Sequence, residues 1–585
     1  MSTYPGRANN TFWISHNFYT YFSLLDGTDK DQFQGKLQEM VLKYVGPQLQ
    51  EVLGQTIDDF RKAGNDFGYV LEPLKDIHLH GATQYNLEPA GSVSTVYIFI
   101  VVAVLILIIA IINYVNLATA RSAGRAKEVG VKKVSGANNA SLILQFLGES
   151  IFIALISGVI AVFLVFILMP SFNNLTGKEL SAGLFDSPAG ILYFLVLITL
   201  VGVSSGFYPA FVLASFNPVE VLKGTLNPGS MSKRMRWIMV VFQFTVSIVI
   251  IIGSIIVYSQ LSFITKKDLG FNKENLIIIR RSDAFYSQAE AFRNQLLQIP
   301  GVARAGFSRN VPGENFNNNA FFNDNDPEKN TYLINQATVS LDYPEALGVK
   351  IIEGRSFSRD FGTDSSAILI NEAAVKSLGL NDPVGKYLLQ PSGPKQFNRL
   401  QIVGIMEDFN IESLHKEITP VCFTVMGPGG GDQFATVRLT GKDIPGTIRN
   451  IEELWKKFTA DQPFQYEFFS DKWNSLYSSE LRTGQIFIIF SLLAIFIACL
   501  GLLGLVTFIT NKRTKEIGIR KTYGASMSTV LVLLSKEVVY LILISSLIAY
   551  PVAYFGSKYW LEGFATKVKI NPVLFILATF VVLLL

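Results

Sequence analysis

RAKEVGVKKVSGA, residues Arg125–Ala137, is written a second time as RTKEIGIRKTYGA at Arg513–Ala525, at a constant offset of 388 residues. Arg125, Lys127, Glu128, Gly130, Lys133, Gly136 and Ala137 recur identically, while Val129, Val131 and Lys132 return as Ile517, Ile519 and Arg520. The register holds as far as Glu149, which lands on Glu537. Each copy follows one long apolar run and precedes another, so the repeating unit includes membrane-spanning segments.

Composition points the same way. Of 585 residues 49% are hydrophobic, 45 are Phe and only 16% are charged, which exceeds what a soluble chain of this length carries. The net charge of +4 is the small difference between 50 basic and 46 acidic residues, so it implies no nucleic-acid partner, and the placement of the basic residues is what carries information. Cys422 and Cys499 fall in segments of different character and form no disulfide framework.

Working outward, Val96–Leu117 is long enough, at about 1.5 Å per residue, to cross a hydrocarbon core of roughly 30 Å. Further runs at about Leu142–Met169, Ile191–Leu213, Trp237–Tyr258, Ile486–Phe508, Val538–Phe555 and Pro572–Leu585 bring the expected spans to seven. Three connecting stretches are rich in Lys and Arg, as cytoplasmic loops are. They hold Arg121, Arg125, Lys127, Lys132 and Lys133; Lys223, Lys233, Arg234 and Arg236; and Lys512, Arg513, Lys515, Arg520 and Lys521. Alternating crossings then place both motif copies in the cytoplasm and the polar segments Met1–Thr95 and Thr265–Arg482 outside, so the repeats are parallel rather than inverted. Met1–Thr95 has no signal-peptide pattern, and copy two has a leading span that copy one lacks. The expectation is therefore a chain lacking an N-terminal helix, with eight spans in the full protein.

The domain reading follows: residues 1–95, the C-terminal part of a first extracytoplasmic domain; 96–224, a first transmembrane unit with a coupling segment at 118–139; 225–264, a linker and fourth span. Residues 265–482 are a second extracytoplasmic domain and 483–585 a second transmembrane unit, with its coupling segment at 511–527. In the first outer segment the pattern suggests a helix around Phe33–Leu53 and a strand over Gly68–Leu74. In the second, strand-like runs (Asn275–Arg280, Ala367–Ile370, Leu400–Ile405, Ala435–Leu439) alternate with helical ones (Ser287–Gln298, Ile448–Phe458), an α+β arrangement. Asn315–Asn330 and Met426–Asp432 read as loops. The fold class is thus membrane α-helical, two parallel four-span repeats, with α+β extracytoplasmic domains.

Catalytic chemistry is not written here. The stretch nearest to a phosphate-binding loop, Gly379–Tyr387, has one residue too many between its glycines and Tyr where Ser or Thr should meet magnesium. His78 and His80 could share one face of a strand but have no third ligand nearby, and Asp324 and Asp326 lack the glycine and terminal Glu of a calcium loop. No catalytic set and no metal site is expected, and no cofactor in this chain. The spans lack midplane charges; Glu149, Lys536 and Glu537 sit near cytoplasmic ends, where Glu149 can pair with a motif lysine. Asn113 and Asn116, which correspond to Gly501 and Gly504, share a helix face and suit close helix packing.

Within the motif, Glu128 precedes Lys132 by four residues and Glu516 precedes Arg520 by four, a helical spacing contributing about 0.2–0.5 kcal/mol. Gly130 and Gly518 each cost about 1 kcal/mol in a helix interior. Short helices so interrupted are expected to dock on a cytoplasmic partner through Val129, Val131, Ile517 and Ile519.

ACLGLLGLVTFITNKRTKEIGIRKTYGAS (Ala498–Ser526), its twin around Asn116–Ala137, and FNPVEVLKG (Phe216–Gly224) together resemble the FtsX-like permeases of the MacB superfamily, membrane subunits of ABC transporters. The resemblance covers nearly the whole chain. It implies a permease of the inner cell membrane whose short coupling helices receive motion from a separate ATPase, itself a homodimer that holds the ATP and magnesium. A periplasmic adaptor or outer-membrane component would be a further partner, besides the lipid bilayer. The ATPase-coupling residues would be Arg125, Lys127, Glu128, Val129, Gly130, Val131 and Lys133, with Arg513, Lys515, Glu516, Ile517, Gly518, Ile519 and Lys521. The alternative is a signalling or scaffold protein whose outer domain binds a ligand, and a kinase or hydrolase partner in place of an ATPase would mark it.

Overall fold

Residues 13–14, 20–62, 66–80, 91, 93–181, 183–215, 230–281, 288–324, 326, 330–393, 396–427, 434–459, 462–512 and 514–584 are described by a computed structural model. The chain divides into two compact units. One comprises Met1–Ala90, Ile264–Ser478 and Phe564–Thr566; the other comprises Gly91–Phe263, Ser479–Gly563 and Lys567–Leu585.

The second unit is helical. Its elements are α1 (Val93–Val134), α2 (Asn139–Thr176), α3 (Pro188–Ala214), α4 (Ser230–Lys266), α5 (Ser478–Lys512), α6 (Thr514–Thr522), α7 (Met527–Leu561) and α8 (Pro572–Leu584). Six of them are long and apolar enough to cross a membrane, from Val93–Thr119 to Ser535–Leu561. The seventh expected span coincides with α8, a shorter apolar helix of 13 residues. Outward residues of α2 and α3 such as Phe152, Val159, Phe163, Leu192 and Tyr193 are exposed, as suits a hydrocarbon surrounding.

Small residues bring these helices together. Gly202 and Gly206, four apart on α3, face Ile151 and Ser150 of α2 so closely that a β-carbon at either would lie within 2.8 Å of them. Antiparallel to α5, α4 ties to it through Gln243 Nε2 donating to the Ala498 carbonyl (3.1 Å) and a Ser254–Ser491 hydroxyl pair (3.0 Å). The α7–α8 pair is held by Ser546 and Tyr550 on Thr579, at 3.0 and 2.8 Å. Helix α1 runs parallel to α5: Phe99 meets Phe487 with ring centroids 5.4 Å apart, Asn113 donates to the Ile497 carbonyl, and Leu117 lies against Gly504.

The first unit carries a mixed sheet. Its strands are β1 (Leu276–Arg280), β2 (Val302–Ser308), β3 (Asn317–Asn323), β4 (Tyr332–Val339), β5 (Ile351–Gly354), β6 (Ala367–Asn371), β7 (Tyr387–Gly393), β8 (Gln396–Met406), β9 (Val421–Val425), β10 (Phe434–Leu439) and β11 (Tyr466–Phe468). They run in the order β11-β1-β10-β2-β4-β3-β7-β8-β6-β9, with β5 on β8, and among the described residues only β4–β9 and β6–β8 pair in parallel. On one part of the sheet Ile277, Ile279, Phe307 and Val437 bury the helix faces of Phe292, Leu296, Ile451 and Trp455. A second core gathers Phe321, Ile334, Ile368, Ile370, Leu378 and Ile402. The stretch Asn315–Asn330, expected as a loop, instead contains β3: its Phe321 and Phe322 are buried, and that burial outweighs the poor strand propensity of the asparagines. Of the other expected loop, residues 428–432 lie outside the described ones.

Residues 30–53 are helical, with a π-helical turn at Val41–Val45, around a small core of Val41, Val45, Leu49, Ile57 and Phe60. The expected strand at Gly68–Leu74 does not form; its Tyr69 carbonyl and Leu71 N–H are taken by the Gln34 side chain rather than by a strand. His78 belongs to a short helix, Ile77–His80, rather than to a strand. The Gln55 side chain accepts from the Thr331 hydroxyl (3.0 Å), which joins this segment to the sheet within one unit. Asp324 is engaged by Arg399 at 2.8 Å.

Candidate functional site

Both motif copies end in the same backbone device. In copy one Gly136 takes φ 95°, its N–H donates to the Lys133 carbonyl (3.0 Å) and the Ala137 N–H reaches back to Lys132 (2.9 Å). In copy two Gly524 takes φ 90°, with Gly524 on Lys521 and Ala525 on Arg520, each at 3.0 Å. These are Schellman caps, which explains the repeated Gly-Ala: glycine alone enters the left-handed region cheaply. The next residue starts the next helix in each copy, Asn138 accepting from the Ser141 N–H (2.7 Å) and Ser526 from the Thr529 N–H (3.2 Å).

Copy one is held by contacts to α2 and α3 of its own unit. Copy one is not a separate short helix: α1 runs unbroken from the span through Gly130 to Val134. Its internal glycine is tolerated because tertiary contacts supply more than the glycine removes. Arg125 grips Glu149 of α2 at two points, 2.7 and 3.1 Å, and also reaches Glu128 at 3.3 Å. Lys132 lies 2.9 Å from Glu128 and 3.1 Å from Gln145, which in turn donates to Glu149. The Arg125 guanidinium stacks over Phe146 at 4.9 Å. Lys133 donates to the Ala214 carbonyl at the end of α3 (2.6 Å), where a cation is favoured.

Electrostatics follow the contacts. The Lys132 hydrogen bond holds the Glu128 carboxyl below the usual range, against partial burial, with Arg125 adding to the effect. Arg125 is raised above the ordinary arginine value, chiefly by its bonds to Glu149. Glu149 therefore pairs with the motif arginine rather than with a lysine, because the fork of the guanidinium matches its two oxygens.

Val129 corrects the sequence reading most sharply. It is fully buried among Leu142, Phe146, Ala210, Leu213 and Ala214 of its own unit, so it cannot also enter a partner. Gly130 is buried as well, whereas Lys127 and Glu128 are exposed and Val131 is 57% exposed. In copy two, α6 carries the Glu516–Arg520 pair at 2.7 Å and leaves Ile519 59% and Tyr523 89% exposed. Ile517 is half-buried, Gly518 faces open space and Lys521 is exposed. Arg513 and the side chain of Lys515 lie outside the described residues, as does Phe216–Gly224.

Asn113 and Asn116 are both buried in the helical unit, and Gly501 stands directly against Asn113. Since α1 and α5 run parallel and in contact, their C-terminal ends deliver both motif copies to the same end of this unit. Sequence reasoning missed the Lys133 cap and the exposure of Tyr523, which stands where copy one has Ser135. The persistence of Glu149 as Glu537 was the signal for the Arg125 pair.

Residues 100–218 and again 488–585 match the family described as FtsX-like permease C-terminal, and residues 244–442 match the MacB-like periplasmic core domain. Macrolide export ATP-binding/permease proteins MacB are similar over a shorter stretch. Those of Vibrio parahaemolyticus and Agrobacterium fabrum are each 31% identical over 121 residues, covering 21% of this chain and 18% of the relative. That of Bordetella avium is 32% identical over 121 residues, with the same coverage of 21% and 18%. The match thus spans under a fifth of those relatives' length. Among solved structures, the periplasmic region of MacB from Actinobacillus actinomycetemcomitans shares 14% identity, over 36% of this chain and 96% of that one, with a TM-score of 0.27. A domain of a putative permease protein from Porphyromonas gingivalis shares 19%, over 34% and 90%, with a TM-score of 0.25.

Proposed function

With FtsX-like permease segments flanking a MacB-like periplasmic core domain, the chain belongs to the FtsX/MacB type of permease, and from that premise we propose how it works within an ABC transporter. It is a multi-pass membrane subunit with an extracytoplasmic domain, and a separate cytoplasmic ATPase supplies the energy. The two helix ends after Thr119 and Gly504 are the points at which that ATPase pushes. The parallel contact of α1 with α5 is the observation that carries this reading, because it brings both repeated basic motifs to one end. Their side chains would present Lys127, Glu128 and Val131 from copy one, and Glu516, Ile519, Arg520 and Lys521 from copy two.

Motion received there passes along α1 and α5 as rigid helices toward the outer domain, to drive export or work at the extracytoplasmic face. The relatives named above are described as ATP-binding/permease proteins; the ATPase proposed here is bound as a dimer so that each protomer meets one motif copy. Outer-face partners such as a periplasmic adaptor belong to the same reading. The test is purification of the affinity-tagged chain from its native membrane. Recovery of a nucleotide-binding subunit with a phosphate-binding loop supports the proposal; recovery of a kinase or hydrolase in its place contradicts it.

A further inference from the structure

Helices α1 and α5 meet with each residue on its own counterpart. Phe99 faces Phe487, Ile106 shares an apolar cluster with Ala494, and Asn113 faces Gly501. All three pairs are 388 residues apart, and successive pairs are seven residues apart along each helix. A parallel, in-register heptad seam of this kind places a two-fold axis between the helices and along them. Two truly equivalent halves could then pair like with like across two chains as readily as within one.

Asn113 breaks that equivalence. It is 7% exposed; its Nδ2 donates to the Ile497 carbonyl, and its Oδ1, with no hydrogen-bond partner, lies against Gly501 where no β-carbon could fit. One turn on, Leu117 fills the space that Gly504 leaves open. Both protruding side chains come from α1 and both glycines from α5. Asn113 against a second Asn113 would overfill the seam, and Gly501 against a second Gly501 would leave a gap.

We infer that the two copies are complementary, non-interchangeable halves: the partner of α1 is α5 of the same chain, and like-with-like pairing between chains is excluded at Asn113. This rests on the reading of two permease-like copies in one chain. The parallel register adds a specific consequence. Asn placed at 501 would find the carbonyl of Ile109, which stands where Ile497 stands in the other helix.

The test uses the full chain with Cys422→Ala and Cys499→Ala, carrying Phe99→Cys with Phe487→Cys and a protease site between the copies. A short bifunctional thiol reagent applied in membranes should join the two fragments of a single chain. Gly501→Asn should lower the cross-linked fraction about fivefold, and Asn113→Gly combined with Gly501→Asn should restore it to within about twofold of the parent. Loss of Gly501→Asn from the membrane counts as the same disruption, since rescue by the swap decides the matter. Cross-links between two chains through position 99, or a swap no better than the single change, would overturn the inference. Failure of the transporter reading looks different: intact intrachain cross-links with no ATPase bound.

Discussion

Arg125 and Glu149 form a two-point ion pair, Nη1 to Oε2 at 2.7 Å and Nη2 to Oε1 at 3.1 Å, that fastens the end of α1 to α2. Both side chains are more than a third exposed, so solvent screening limits the pair to about 1 kcal/mol. Its importance is positional. Glu149→Ala should leave insertion intact but loosen the helix end, so that a cysteine at Ser135 reacts with a thiol reagent about fivefold faster, the factor that about 1 kcal/mol allows. An unchanged rate would show that Val129 and Lys133 hold the helix end without it.

Burial separates two apolar positions within the repeated motif. Val129→Asp places a charge in a fully buried apolar cluster and should cost about 3 kcal/mol or more, read as loss of folded protein from the membrane. Ile519→Asp, on a 59% exposed residue, should change stability by no more than about 0.5 kcal/mol while weakening partner binding. Thermal melting of the purified chain beside partner recovery distinguishes them; equal melting temperatures for the two variants would contradict the assignment.

The sequence carries the class of the fold because hydrophobic length and the repeat are local properties, and six long helices plus the strands at 276–280, 367–371, 396–406 and 434–439 follow them. It does not carry the burial of Val129, which comes from Leu142 and Phe146 of α2 together with Ala210, Leu213 and Ala214 of α3. Likewise β3 is invisible locally, since NNNAFFN has turn-forming composition and is a strand only because β4 and β7 accept it on either side. Asn113 was legible as a packing residue, but not that its neighbour would be its own counterpart in the repeat.

Acid should weaken the outer unit through Asp364. Burial raises its pKa, but two bonds from Arg355, at 2.6 and 2.7 Å, and the Ser358 N–H prevail and hold it below the usual carboxylate value. The folded pKa therefore lies below the unfolded one, near 3.9. The stabilisation is fully present above that value and is lost as pH falls through the folded pKa. Asp364→Asn should cost about 1–2 kcal/mol at neutral pH, below the roughly 3–5 kcal/mol of breaking a fully buried pair, because Arg355 is 34% exposed. Its melting temperature should also fall less than the parent's between about pH 5 and pH 2; parallel curves would show that another group dominates.

Orientation can be read by labelling. Cysteines at Ser135 and Ser526, in the caps that end the two copies, should both resist an impermeant thiol reagent in intact cells and react once the membrane is opened. Reaction of either from outside would reverse the topology.

Glu128 and Glu516 give the most direct test of energy transfer, because each is an exposed partner of a motif cation, Lys132 at 2.9 Å and Arg520 at 2.7 Å, and neither touches a span or the sheet. Glu128→Lys with Glu516→Lys turns both favourable pairs into repulsive ones and presents any docking partner with the wrong sign. The measurement is the ATP hydrolysis rate of the co-purified ATPase reconstituted in bilayers with the chain, parent against double variant, alongside the amount of ATPase recovered. The account predicts normal insertion with recovery or chain-dependent hydrolysis reduced about tenfold, the effect of a loss near 1.4 kcal/mol, and a smaller effect from either change alone. Parental values for both quantities in the double variant would contradict it and leave the repeated motif as a topology signal only.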